Sequence, residues 1–145
     1  MKITKTLNIV AILFLIANVG VAIFIALNNS SIILHWDFLG HATSHGGQQL
    51  ILVLPVVSCL VYAILRRYAK EPYKMNRVGT ILKTERNTEL LRNYLVAVSV
   101  GSSALLLYVT ICSGGLLSMS PYVVYTTIGI LVISYVYTRR RLERA

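Results

Sequence analysis

The sequence predicts an all-α integral membrane protein with four transmembrane helices, both termini cytoplasmic, and an outer loop at membrane level between helices 1 and 2. Three observations predict it. Hydrophobic residues make up 56% of the chain and charged residues only 13%, a membrane-class composition. The apolar residues gather into stretches long enough to cross a hydrocarbon core of about 30 Å. All 14 Lys and Arg fall into three blocks: Lys2 and Lys5, then Arg66 to Arg92, then Arg139 to Arg144. Cytoplasmic loops retain Lys and Arg while short exported loops are depleted of them, so three basic blocks separated by pairs of spans place both ends inside. Four spans use most of the chain, and residues 1–145 are read as a single four-helix membrane domain.

The first span, about 7–27, contains no charged residue and matches the roughly 20 apolar residues that a crossing helix needs. Its basic start resembles a signal peptide. The apolar run exceeds the usual h-region of about 7–15 residues and no small-x-small site precedes Asn28, which predicts a retained helix. The second span, about 49–68, ends in Arg66 and Arg67, which can snorkel to the inner headgroups. Pro55 should kink it, or open its hydrogen-bond ladder near Ile51.

Residues 93–138 are continuously uncharged. As one helix they would measure about 69 Å, twice the bilayer core, so they must form a hairpin. Ser113-Gly114-Gly115 is a helix-ending cluster, and Ser120-Pro121 reads as an N-cap followed by proline at the first helical position. The third and fourth helices are therefore placed at about 88–112 and 121–141. Aromatic residues agree: Tyr68, Tyr94, Tyr135 and Tyr137 lie near the inner ends, and Trp36, Tyr108, Tyr122 and Tyr125 near the outer ones.

Lipid supplies no hydrophobic drive between helices, so small residues mark where backbones approach. Asn18, Ala22 and Ala26 share one face of the first helix. Ala97 with Gly101, and Ser99 with Ser103, are small-xxx-small pairs that put the third helix in the bundle interior or at a dimer contact. Asn18 is the one strongly polar side chain deep in a span, expected to bond to a neighbouring helix. No ionisable residue sits near the midplane, which argues against a proton-coupled transporter or an intramembrane protease. Cys59 and Cys112 lie at different depths and are read as packing residues rather than a disulfide.

The net charge of +9 would suggest nucleic acid in a soluble domain. Here the cations flank apolar spans and face the headgroups of the lipid bilayer, and no nucleic-acid partner is expected. The inner loop, about 69–87, carries Lys70, Lys74, Arg77, Lys83 and Arg86 against Glu71 and Glu85, with Pro72 and Gly79 as breakers. It is read as a basic loop on anionic lipid, or as a docking surface for a cytoplasmic protein. The chain holds no glycine-rich phosphate loop, paired carboxylates or HExxH helix, and no enzymatic activity is expected.

The outer loop, 28–48, holds all three histidines and the sole acidic residue outside, Asp37. His35, Asp37, His41 and His45 could converge on zinc or copper if the loop folds back on itself, although Gly40, Gly46 and Gly47 argue against a helix that would align His41 with His45. The other reading is an amphipathic loop at headgroup level, with Ile32, Ile33, Leu34, Trp36, Phe38 and Leu39 facing the membrane or the bundle.

The order of a first membrane helix, a hydrophobic-His-Trp-Asp-Phe-x-Gly segment, a glycine-rich step and a second helix with Leu54-Pro55 resembles a bacterial domain over roughly residues 8–65. That domain is the uncharacterised four-helix membrane domain at the amino end of immunity proteins against the sporulation-delaying toxin. His35, Trp36, Asp37 and Gly40 match its outer segment. The approach proline is absent, with Ser31-Ile32-Ile33 in its place, and Thr43 stands where that family has Asp. The resemblance implies a multi-pass protein of the bacterial plasma membrane. In some relatives such a protein protects against a membrane-active toxin and recruits a cytoplasmic repressor.

Three functions follow as expectations. The outer face binds a membrane-active peptide or a lipid through His35, Trp36, Asp37, Phe38 and Gly40, with Trp36 and Phe38 as anchors and His35 and Asp37 as orienting groups. Alternatively the loop histidines hold a metal in a transport-accessory subunit, which would need to form a homo-oligomer to enclose a path. In the third reading the chain is a structural subunit bound to another membrane protein.

Overall fold

The computed structural model describes residues 2–74 and 80–143. Four long helices dominate: α1 (Lys2–Asn28), α2 (Val53–Lys70), α3 (Glu85–Ser113) and α4 (Pro121–Arg141). All four are long and apolar enough to cross a membrane. The segment between α1 and α2 is a β-hairpin of strands β1 (Ser31–Trp36) and β2 (Ala42–Gly47). Arg77 and Gly79 of the basic loop, and Arg144, lie outside the described residues.

Side-chain bonds between helix ends give the bundle its direction. At one end the Tyr62 hydroxyl donates to Asn8 Oδ1 at 3.0 Å, Arg92 Nε donates to the Ala69 carbonyl at 3.3 Å, and Asn87 bonds the backbone of Glu143. The start of α1, the end of α2, the start of α3 and the end of α4 therefore meet at this basic end. The tips of the two helical hairpins and the β-hairpin occupy the other.

Helix α3 is the hub. It packs along both α1 and α2, and it is the main support of α4. Its small residues allow this, as lipid-embedded packing requires. Ser99 and Ser103 are buried, while a Cβ on Gly101 would stand 3.0 Å from Leu131 of α4. Buried Ala11, Asn18, Ala22 and Ile25 form the inward stripe of α1. Asn18 is fully buried, yet neither polar atom of its amide has a partner, so the expected bond to a neighbouring helix is not made. Cys59 and Cys112 are both free thiols.

The break between α3 and α4 follows its sequence signal. Gly115 takes φ +71°, a left-handed conformation that glycine adopts at no steric cost. Leu116 N–H reaches the Ile111 carbonyl at 3.2 Å and Gly115 N–H reaches Cys112 at 3.0 Å, the paired bonds of a Schellman end. Ser120 precedes Pro121 at the start of α4, but its side chain makes no capping bond. Its N–H instead donates to the Tyr108 hydroxyl at 2.8 Å.

Pro55 falls where the second helix changes type: a 3₁₀ turn, Gln48–Leu52, leads into α2 at Val53. The regular α-helical ladder is thus broken around Ile51, four residues before a proline that has no N–H to bond it. One expectation is corrected: the chain is not all-α, since Ser31–Trp36 and Ala42–Gly47 of the segment read as a loop pair as antiparallel strands.

Candidate functional site

The hairpin turn is written in Asp37-Phe38-Leu39-Gly40-His41. Asp37 N–H donates to the His41 carbonyl at 2.9 Å and Gly40 N–H to the Asp37 carbonyl at 3.1 Å, while Gly40 takes φ +89°. This is a three-residue loop in which a type I turn is followed by a left-handed glycine. Asp at the first turn position suits it, because its carboxylate can bond the N–H groups that follow.

Asp37 is wholly engaged in that task. Oδ1 accepts the N–H of Leu39 at 2.9 Å and of His41 at 2.8 Å, and Oδ2 lies 3.0 Å from His41 Nδ1. The His41 backbone N–H is the main cause that holds the Asp37 carboxyl below its ordinary value of 3.8, against desolvation, with the His41 ring and the Leu39 N–H adding to the effect. Asp37 is therefore a turn-forming residue.

Opposed register shifts shape the strands. Ile33 pairs with His45 and His35 with Ser44, so Leu34 is an extra residue in β1; His35 to Trp36 then spans Ser44 to Ala42, so Thr43 is extra in β2. Such bulges re-aim side chains. Leu34 folds over Gly46, where a Cβ would stand 2.5 Å from its Cδ1. His35 Nδ1 lies 2.6 Å from the Thr43 hydroxyl, which also donates to the His35 carbonyl at 3.2 Å.

The four candidate metal ligands are accordingly not brought together. His41 pairs with Asp37, His35 with Thr43, and exposed His45 stands opposite Ile33. No group of three or more His, Cys, Asp and Glu side chains placed to hold a metal occurs among the described residues.

Three anchors fix the hairpin to the bundle. Ile32 is buried with Ala22 and Ile25 of α1 and with Ile51. Ser113 Oγ donates to the Ile33 carbonyl at 3.0 Å, and Asn29 Nδ2 donates to the Gly114 carbonyl at 2.8 Å. At the tip, Gly40 lies against the Met119 carbonyl so closely that a Cβ would collide with it. Gly114 likewise admits Ile25 where any side chain would clash.

What the anchored turn presents outward is apolar. Phe38 is 88% exposed and its neighbour Leu39 72% exposed, while Trp36 is half-buried. Leu39, which the binding expectation omits, stands beside Phe38 between the turn-forming Asp and Gly. Exposed Leu116 and Leu117 follow from the adjoining α3–α4 loop, against which Gly40 packs, and exposed Tyr122 from the first turn of α4. No family model, curated protein or solved structure matches the chain.

Proposed function

We propose that this chain is a multi-pass protein of the bacterial plasma membrane, with both termini in the cytoplasm, whose outer hairpin captures a membrane-active apolar peptide as an immunity-like or sensory module. The observation that carries the reading is the exposure of Phe38 and Leu39 on a turn held by Asp37 and Gly40. Large apolar side chains on a preorganised loop suit binding, because little ordering is left for the partner to impose. The distribution of Lys and Arg supports the orientation, since it would place the hairpin outside. The likeness of the His35–Gly40 segment to the immunity-protein domain supports the class of ligand.

In this reading Phe38 and Leu39 are the contact residues, Trp36 borders them at headgroup level, and His35, Asp37 and Gly40 maintain the presenting geometry. Burying Phe38 against a peptide is worth about 1.5–3 kcal/mol. The test is in-cell photocrosslinking from an unnatural residue at position 38, followed by mass spectrometry, with a control probe at position 83 in the basic loop. Adducts with an exported or secreted peptide at position 38 alone are expected. Adducts only with lipid at position 38, or with protein only at position 83, would overturn peptide capture at the hairpin.

A further inference from the structure

A cavity of about 450 Å³ opens at the basic end, among the first turns of α1, the last turns of α2 and the first half of α3. Lys5, Arg66, Lys70 and Arg92 line it, and no carboxylate does. None of these four cations is in an ion pair among the described residues, whose bridges are His41–Asp37, Lys74–Glu71 and Arg86–Glu143. Three different helices thus aim uncompensated positive charge at one hollow.

Two of the cations are held in place. Arg66 Nη1 donates to the Tyr62 hydroxyl at 2.5 Å, and that hydroxyl donates onward to Asn8 Oδ1 at 3.0 Å. Arg92 spends Nε on the Ala69 carbonyl at 3.3 Å, which leaves its two terminal nitrogens for a ligand. A guanidinium fixed through one nitrogen and free at the others is a preorganised donor for phosphate oxygens.

The wall of the cavity carries a second and independent sign of a ligand. Ser99 lines it, is only 4% exposed, and its hydroxyl has no hydrogen-bond partner. An unpaired buried hydroxyl is costly, and a ligand oxygen would satisfy it. Ser99 lies seven residues beyond Arg92 on α3, which is about 10 Å deeper along the helix. Leu95 and Val96 line the cavity between them.

The geometry points to a binding site for the headgroup of an anionic phospholipid, with the phosphate held by Lys5, Arg66, Lys70 and Arg92 and an acyl-ester carbonyl accepting from Ser99. Free phosphate shares the anionic chemistry, but it cannot span from cations at the mouth to a hydroxyl about 10 Å deeper past apolar walls. A diacyl phospholipid has that gradation from charge to ester to chain. Basic pockets between membrane helices at the cytoplasmic side suit such headgroups. This site is at the opposite end of the bundle from the hairpin and does not depend on what the hairpin binds.

The test is native mass spectrometry of the full chain released from micelles containing dioleoylphosphatidylglycerol, dioleoylphosphatidylcholine or inorganic phosphate. Retained phosphatidylglycerol, favoured over phosphatidylcholine by roughly tenfold or more, is expected. Removing two cations should reduce that retention about 30-fold. Arg66→Gln with Arg92→Gln tests this directly, and Lys5→Gln with Lys70→Gln repeats it at exposed positions that hold no other element. Ser99→Ala should weaken both lipids alike, because the ester carbonyl is common to them. Equal retention of the two lipids, unchanged retention in both double variants, or phosphate binding without lipid preference would overturn the proposal.

Discussion

Ser113 Oγ donates to the carbonyl of Ile33 at 3.0 Å, tying the last residue of α3 to the middle of β1 across 80 residues of sequence. The bond falls where Leu34 bulges out of register, so it engages a strand carbonyl at the point where the ladder is disrupted. With Ile32 buried just before it, the bond fixes the hairpin's position on the bundle. Ser113→Ala should therefore cost about 1 kcal/mol and act locally. Amide exchange in β1 should rise while exchange in the centre of α3 stays unchanged. Uniform acceleration along α3 would show that Ser113 supports the helix rather than the hairpin.

Gly40 carries two demands at once: a φ of +89° and contact with the Met119 carbonyl that leaves no space for a Cβ. Gly40→Ala should destabilise the protein by about 1–2 kcal/mol for the left-handed backbone alone, and more if the α3–α4 loop must shift. Gly47→Ala is the control. Gly47 has φ −63°, and its added Cβ would meet only the end of the flexible Gln49 side chain at 3.2 Å. Thermal unfolding and the emission of Trp36, the single tryptophan, should both change for the first variant and hardly for the second.

The helices were legible because bilayer thickness imposes a length and hydrocarbon excludes charge, so both limits appear in one-dimensional sequence. The α4 bounds of 121–141 coincide with Pro121–Arg141, since proline and the arginine run mark the two ends chemically. The hairpin was not read, although Asp37 and Gly40 spell its turn, because β2 (Ala42–Gly47) lacks the alternating apolar pattern of a half-buried strand. It is mostly exposed, and β1 carries the buried contact through Ile32. Histidine spacing was misleading for a related reason. The bulges at Leu34 and Thr43 decide which side chains meet, and bulges leave no spacing signature. The basic cavity escaped because its four cations come from three helices, and only packing brings them together.

The turn should respond to acid through Asp37. The folded carboxyl titrates below its ordinary value, so it favours the ordered turn above the unfolded value of about 3.9 and ceases to as pH falls through the folded one. Trp36 emission should accordingly be insensitive to this group from neutrality to about pH 5, and should change below about pH 4. Asp37→Asn keeps an oxygen acceptor for the Leu39 and His41 N–H groups but removes the titrating charge. Its emission should show no transition in that range. An identical acid transition in the Asn variant would assign the response to another group.

At the basic end, Asn87 is fully buried and its amide joins α3 both to Leu82 just before it and to Glu143 just after α4. Nδ2 donates to the Leu82 carbonyl at 2.9 Å and the Glu143 carbonyl at 3.0 Å, and Oδ1 accepts the Glu143 N–H at 3.1 Å. Arg86 adds an ion pair to Glu143 at 2.9 Å, with both side chains well exposed. The two contacts meet the same residue but differ in worth. Asn87→Ala removes three hydrogen bonds of a fully buried amide and leaves the Glu143 N–H without its acceptor, at a cost of about 1–3 kcal/mol, whereas Arg86→Gln removes a solvent-screened pair worth less than about 1 kcal/mol. Denaturant unfolding of the full chain in micelles should rank Asn87→Ala well below Arg86→Gln in stability, and added salt should narrow the difference between wild type and Arg86→Gln only. If Arg86→Gln proved the more damaging, the ion pair rather than the buried amide would be what holds the end of α4 to the start of α3.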